Sequence, residues 1–85
     1  MTLKATERQA IRRGSTVPAY YQLADILRQR ITDLPDADRA KPLPSEGELA
    51  RQYALSRITV RQALKSLEAK GLVYSIQGKG SFPTM

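Results

Sequence analysis

A mainly α fold with a small β-hairpin is what this 85-residue sequence predicts: three helices and a two-stranded wing, in the winged helix-turn-helix arrangement. Three observations carry the prediction. Apolar residues recur at three- and four-residue spacing from Tyr20 to Ile31. Two further helical patterns are separated by a short break at Ala54-Leu55. The second of these runs into an alternating, β-prone segment closed by a glycine-rich turn.

The elements follow in order. Residues 1–17 read as a basic, flexible N-terminal arm carrying Lys4, Arg8, Arg12 and Arg13, in which a short helix over Glu7–Arg13 is the alternative to disorder. The folded domain is expected over residues 18–85. Its first helix starts at Pro18, with Tyr20, Leu23, Ala24, Leu27 and Ile31 on one stripe. It ends near Asp33, because Pro35 biases Leu34 away from helical torsions. Leu34 to Pro42 is a loop with two prolines at its ends and no apolar period. Ser45 and Glu48 form a capping box, in which each side chain satisfies a backbone N–H that the first helical turn leaves open. Leu49, Ala50 and Tyr53 then give the second helix a short apolar face. Ser56 caps a third helix, residues 57–70, which stops at the C′ glycine Gly71. The wing spans 72–82: strand residues Leu72 to Ile76, the turn Gln77-Gly78-Lys79-Gly80, and a return through Ser81 and Phe82.

Composition narrows the function. There is no cysteine and no histidine, which excludes disulfide frameworks, Cys/His zinc sites and catalysis by a His base or Cys nucleophile. The eight carboxylates show no convergent pair, and no glycine-rich phosphate loop follows a strand, so an enzyme is not expected, nor a cofactor or metal. No apolar run approaches the roughly 20 residues that cross a bilayer, and the N-terminus lacks the apolar stretch of a signal peptide; the expectation is a cytoplasmic protein with no membrane partner. Fourteen Lys and Arg against eight Asp and Glu give a net charge of +6, a field that favours polyanions.

The third helix places that charge. Val60, Ala63, Leu64 and Leu67 share one side of a 100° wheel and should face the core. The far side carries Ile58, Arg61, Gln62, Lys65 and Ala69, flanked by Arg57 and Thr59, with Glu68 alone opposing the positive charge. A solvated face with one stray isoleucine is the plain reading. A recognition helix explains more: its first turns enter the major groove, where the arginine fork matches guanine O6 and N7, Ile58 can meet a thymine methyl, Thr59 a phosphate or base edge, and the N–H groups behind Ser56 a phosphate. The Gly78-Lys79-Gly80 tip alone is an ordinary tight hairpin. Beside a basic helix it suits a minor-groove or phosphate contact. The arm arginines either track phosphates or only solubilise the chain.

These residues, taken in order, resemble the N-terminal domain of the GntR family of bacterial regulators. The resemblance rests on Leu43-Pro44-Ser45-Glu46, Glu48-Leu49-Ala50, Ser56 to Leu64, Leu67 to Val73 and Gln77 to Phe82. It runs from about Pro18 to Phe82, and Pro18-Ala19-Tyr20-Tyr21-Gln22-Leu23 with the Gln-Gly-Lys-Gly wing is most similar to the HutC branch. The resemblance implies a homodimer on a short inverted repeat of double-stranded DNA, acting more often as a repressor than an activator. It implies that Arg57 reads a guanine, that Ser56, Ile58, Thr59 and Arg61 contact bases or phosphates, and that Gln77, Gly78 and Lys79 enter the minor groove. Ser45, Gln62 and Lys65 complete the expected DNA-binding set. It also implies a larger C-terminal domain for a small-molecule effector, absent from this chain. Three features depart from the pattern: Gly47 where a basic residue often stands, Ala54 in the turn where Gly or Asn is common, and an acidic 34–42 loop without the usual Pro-Gly. None is expected to touch the recognition helix.

Two other binding roles compete. A winged helix used as a protein-interaction module need not keep Arg57, Arg61 and Lys65 on one face. A sequence-specific RNA reader needs exposed aromatics for base stacking, whereas Tyr20, Tyr21, Tyr53 and Tyr74 are expected mostly on core faces.

Overall fold

The computed structural model describes residues 11–84. The order is α1 (Ala19–Asp33), a 3₁₀ turn (Asp36–Asp38), α2 (Glu46–Tyr53), α3 (Arg57–Ala69), β1 (Val73–Ile76) and β2 (Gly80–Pro83). The helices follow the capping chemistry. Ser45 Oγ accepts from Glu48 N and Glu48 Oε1 accepts from Ser45 N, each at 3.1 Å, the capping box expected for α2. Ser56 Oγ accepts from Thr59 N at 3.1 Å and opens α3. Leu34, extended at ψ 133 before Pro35, ends α1 at Asp33.

The stripes meet in one core. Leu23, Ala24, Leu27 and Ile31 of α1 pack with Leu49 of α2, Val60, Ala63, Leu64 and Leu67 of α3, and Val73 at the root of the wing, all buried. Leu43, Ala50, Tyr53, Leu55 and Leu72 close its edges. Burying a side chain of this size contributes about 1.5–3 kcal/mol, which is what holds α3 across α1 and leaves its other side outside.

Helices α2 and α3 both end in a left-handed residue, closed in the same way. After α3, Gly71 (φ 74) donates to Glu68 O and Leu72 donates to Leu67 O. After α2, Ala54 (φ 55) donates to Arg51 O and Leu55 donates to Ala50 O. This is the Schellman pattern in both places, with the following leucine packed back on the helix end. It lets three residues, Ala54 to Ser56, turn the chain from α2 into α3.

The wing strands pair antiparallel, Val73↔Pro83 through Ile76↔Gly80, with residues 77–79 as the tip. Tyr74 stacks on Phe82 with ring centroids 5.6 Å apart. Leu43 N donates to Ser81 O at 2.7 Å, tying the segment before α2 to the outer strand. The 34–42 segment is not wholly irregular. It contains the 3₁₀ turn, and Arg39 folds back to donate to Ile31 O and Thr84 O, joining the end of α1 to the exit of the wing.

Residues 11–17, read from sequence as part of the arm, lie against the domain. Ile11 packs on the core, Gln22 bonds both the N–H and the carbonyl of Arg12, and Arg13 donates to the carbonyls of Tyr53 and Ala54. Residues 11–13 are not helical. Lys4, Arg8 and the rest of the Glu7–Arg13 alternative lie outside the described residues.

The tyrosine expectation needs correction. Tyr20, Tyr21 and Tyr74 are exposed, and only Tyr53 is tucked in, its Oη accepting from Arg30. Tyr20, at the start of α1, is 37% exposed, and no element among the described residues covers it. Tyr21 has Lys70 Nζ 5.8 Å from its ring centroid, and Tyr74 faces out with its stacking partner Phe82.

Candidate nucleic-acid interface

Helix α3 is amphipathic in the way the sequence requires. With Val60, Ala63, Leu64 and Leu67 turned inward, Arg57, Ile58, Arg61, Gln62 and Lys65 are exposed. Ile58 is 68% exposed, the most exposed large apolar side chain among the described residues. It lies off the buried side of α3, which Val60, Ala63, Leu64 and Leu67 fill.

A groove of about 600 Å³ runs between the start of α2, the start of α3 and the wing. Ser45, Glu46 and Gly47 form one wall, Arg57 and Leu64 the floor, and Ser75, Ile76, Gln77 and Gly78 the other wall. The structure thus brings Ser45, Arg57, Gln77 and Gly78 together around one concavity. Lys79 stands at the wing tip beside them, where its N–H donates to Ile76 O. Gln62 and Lys65 lie further along the exposed face of α3. Ser56 and Thr59 are engaged locally: Ser56 Oγ donates to Thr59 Oγ1 at 2.9 Å, so the two hydroxyls meet each other at the helix start.

Two features of the face were missed by sequence reasoning. Arg61 is not opposed by Glu68 alone. Its Nη2 and Nε donate to Glu46 Oε1 and Oε2 at 3.0 and 3.2 Å, a bidentate pair between α3 and the first residue of α2. That hydrogen bond holds the Glu46 carboxyl below its ordinary range, with the Arg61 and Arg57 charges adding to it and slight burial opposing. Glu68 instead accepts from Ser75 Oγ on β1. The pairing partners are 15 residues apart on different helices, so no spacing rule points to them.

The second is Gly47. The expectation that it leaves the recognition helix untouched is wrong. A Cβ at Gly47 would sit 2.7 Å from Arg57 Nη2, so the guanidinium of Arg57 lies directly over the bare backbone of α2. Any side chain there must push Arg57 aside. A clue was present in sequence, since a glycine one residue inside a capped helix costs up to about 1 kcal/mol without a reason.

Residues 19–82 match the model of the bacterial regulatory proteins of the gntR family. The HTH-type transcriptional repressor NagR of Bacillus subtilis is 43% identical over 72 residues, covering 85% of this chain and 29% of that protein. The arabinose metabolism transcriptional repressor of Geobacillus stearothermophilus is 46% identical over 70 residues, 79% of this chain and 18% of that protein. The chain therefore spans less than a third of the length of these curated relatives. Among solved structures, AraR(DBD) in complex with operator ORX1 aligns with a TM-score of 0.71 at 36% identity, over 81% of this chain and 82% of that one. YtrA from Sulfolobus acidocaldarius, a GntR-family transcription factor, aligns with a TM-score of 0.74 at 28% identity, over 88% and 78%.

Proposed function

Because the chain belongs to the GntR family of bacterial regulatory proteins, we propose that residues 18–85 are a sequence-specific double-stranded DNA-binding domain of a transcription regulator, working as a repressor in the cytoplasm. The observation that carries the reading is the convergence of Arg57 and the wing residues Gln77 and Gly78 on one groove, beside an exposed helix face that also bears Ile58, Arg61, Gln62 and Lys65. A helix in the major groove and a wing tip in the adjoining minor groove leave the intervening phosphates to pass between them. Arg57 reads a guanine edge, Ile58 packs on a thymine methyl, and Ser45, Ser56, Thr59, Lys65 and Lys79 hold the register on phosphates. The role is binding, with no part for catalysis. Relatives named as repressors and a neighbour bound to operator DNA support it.

Two copies are proposed to meet half-sites of an inverted repeat about one helical turn apart, with effector control in a larger C-terminal domain. The Pro18–Leu23 opening and the wing sequence favour the HutC branch. The test is selection from a randomised duplex pool at two salt concentrations. Enrichment of an inverted repeat with salt-dependent affinity is expected. Salt-dependent binding without enrichment would leave only a polyanion binder, and no binding at low salt would point to a protein-interaction module.

A further inference from the structure

Glu46 is an acidic residue at the edge of a surface read as binding a polyanion, flanked by Arg61 and Arg57. An isolated carboxylate there opposes the phosphates. Its geometry gives it a different part. A guanidinium has five N–H donors in a fixed fork. Glu46 takes the Nε–H and one Nη2–H of Arg61 at 3.2 and 3.0 Å. What remains includes the end-on edge, one N–H each from Nη1 and Nη2, parallel and spaced as guanine O6 and N7 require. An arginine without this brace gives up its rotamer freedom only on binding, and is equally free to settle on a phosphate.

We propose that Glu46 is a positioning residue for base discrimination: its carboxylate grips the Nε/Nη2 edge of Arg61 so that the Nη1/Nη2 edge faces a guanine in the major groove. This rests on the DNA-binding reading above. It has a signature that a structural role lacks. Within the pair the charges cancel, so Arg61 adds selectivity with little general affinity. Releasing Arg61 should therefore lower discrimination while leaving attraction to random DNA intact or stronger.

The 85-residue chain and its Glu46→Gln, Arg61→Ala, Arg61→Lys and Glu46→Gln/Arg61→Ala variants are titrated against three probes, with thermal melts as the folding check. The probes are the duplex that the unaltered chain enriches from a randomised pool, its single-base-pair variants, and a random-sequence duplex. Expected is that Glu46→Gln loses roughly fivefold or more in discrimination at one G·C pair per half-site, binds the random duplex at least as tightly, and changes nothing further once Arg61 is alanine. Arg61→Lys keeps the charge but not the fork and should lose selectivity at that same pair, which keeps the test readable if Glu46→Gln fails to fold. Unchanged discrimination in Glu46→Gln would overturn the proposal and reduce Glu46 to a charge mask. Equal loss at all positions, persisting without Arg61, would overturn it in favour of a purely structural role. If the unaltered chain enriches no sequence, the sequence-specific reading itself fails, and this proposal with it.

Discussion

Arg57, on the floor of the groove, and Lys79, at the wing tip beside it, should behave differently. Arg57 lies over Gly47, with its guanidinium close to the bare backbone of α2, at the first position of the helix that faces the groove. Arg57→Ala should cost about 1–3 kcal/mol on the selected duplex and relax preference at one base pair. Competition titrations against single-pair variants check this, and equal weakening on every sequence would remove its base-reading part. Lys79 is an exposed cation on a three-residue turn, with no side-chain partner among the described residues, which suits a phosphate. Lys79→Ala should weaken selected and random duplexes alike and reduce the salt slope by about one. A sequence-selective loss would show that the wing tip reads bases.

The two Schellman closures make an internal comparison at the level of the element. Gly71 occupies the left-handed site after α3, and Ala54 occupies the equivalent site after α2 at φ 55. A Cβ in that conformation costs about 1–2 kcal/mol. Glycine removes the clash, and its extra freedom in the unfolded chain returns about 0.4–1 kcal/mol of that. Ala54→Gly should therefore stabilise the domain by about 0.8 kcal/mol, the middle of a range of roughly 0–1.6, and raise Tm by roughly 3–6 °C in a thermal melt. No change would mean the strain is already relieved elsewhere. Arg13 is the candidate for that relief, because its guanidinium caps the carbonyls of Tyr53 and Ala54 at the same turn.

At the scale of the whole molecule, two carboxylates among the described residues tie stability to acid pH. Glu46 is held below 4.5 chiefly by its Arg61 hydrogen bond, and Glu48 chiefly by the backbone N–H of Ser45. A carboxyl whose folded value is depressed contributes stability above its unfolded value and loses it as pH falls through the folded one. Tm should thus be flat above about pH 5 and decline below 4.5. Glu46→Gln should flatten that decline, measured by melts from pH 3 upward to about 7. An unchanged acid limb would mean that neither the interhelical pair nor the capping box carries it. Both groups are solvent-facing, so salt should weaken the effect.

The sequence by itself determined the order of the α-helices and strands, most of the core residues and the side of α3 left for a partner. Periodicity, capping residues and turn glycines act within a few residues, so they are legible along the chain. Ser45, Ser56, Pro35 and Gly71 each stop or start a helix through contacts to neighbouring backbone. Leu23, Leu27, Val60 and Leu67 are buried because their faces are apolar. The tertiary structure alone decided the pairs that cross between elements. Glu46 meets Arg61, Gly47 makes room for Arg57, Arg13 reaches Ala54, and Arg39 joins Ile31 to Thr84. It also decided that Tyr20, Tyr21 and Tyr74 lie outside the core. These depend on the angle and distance at which helices pack, and no local spacing encodes them. The chain shows where its cations are, and packing shows which of them are already held by a carboxylate.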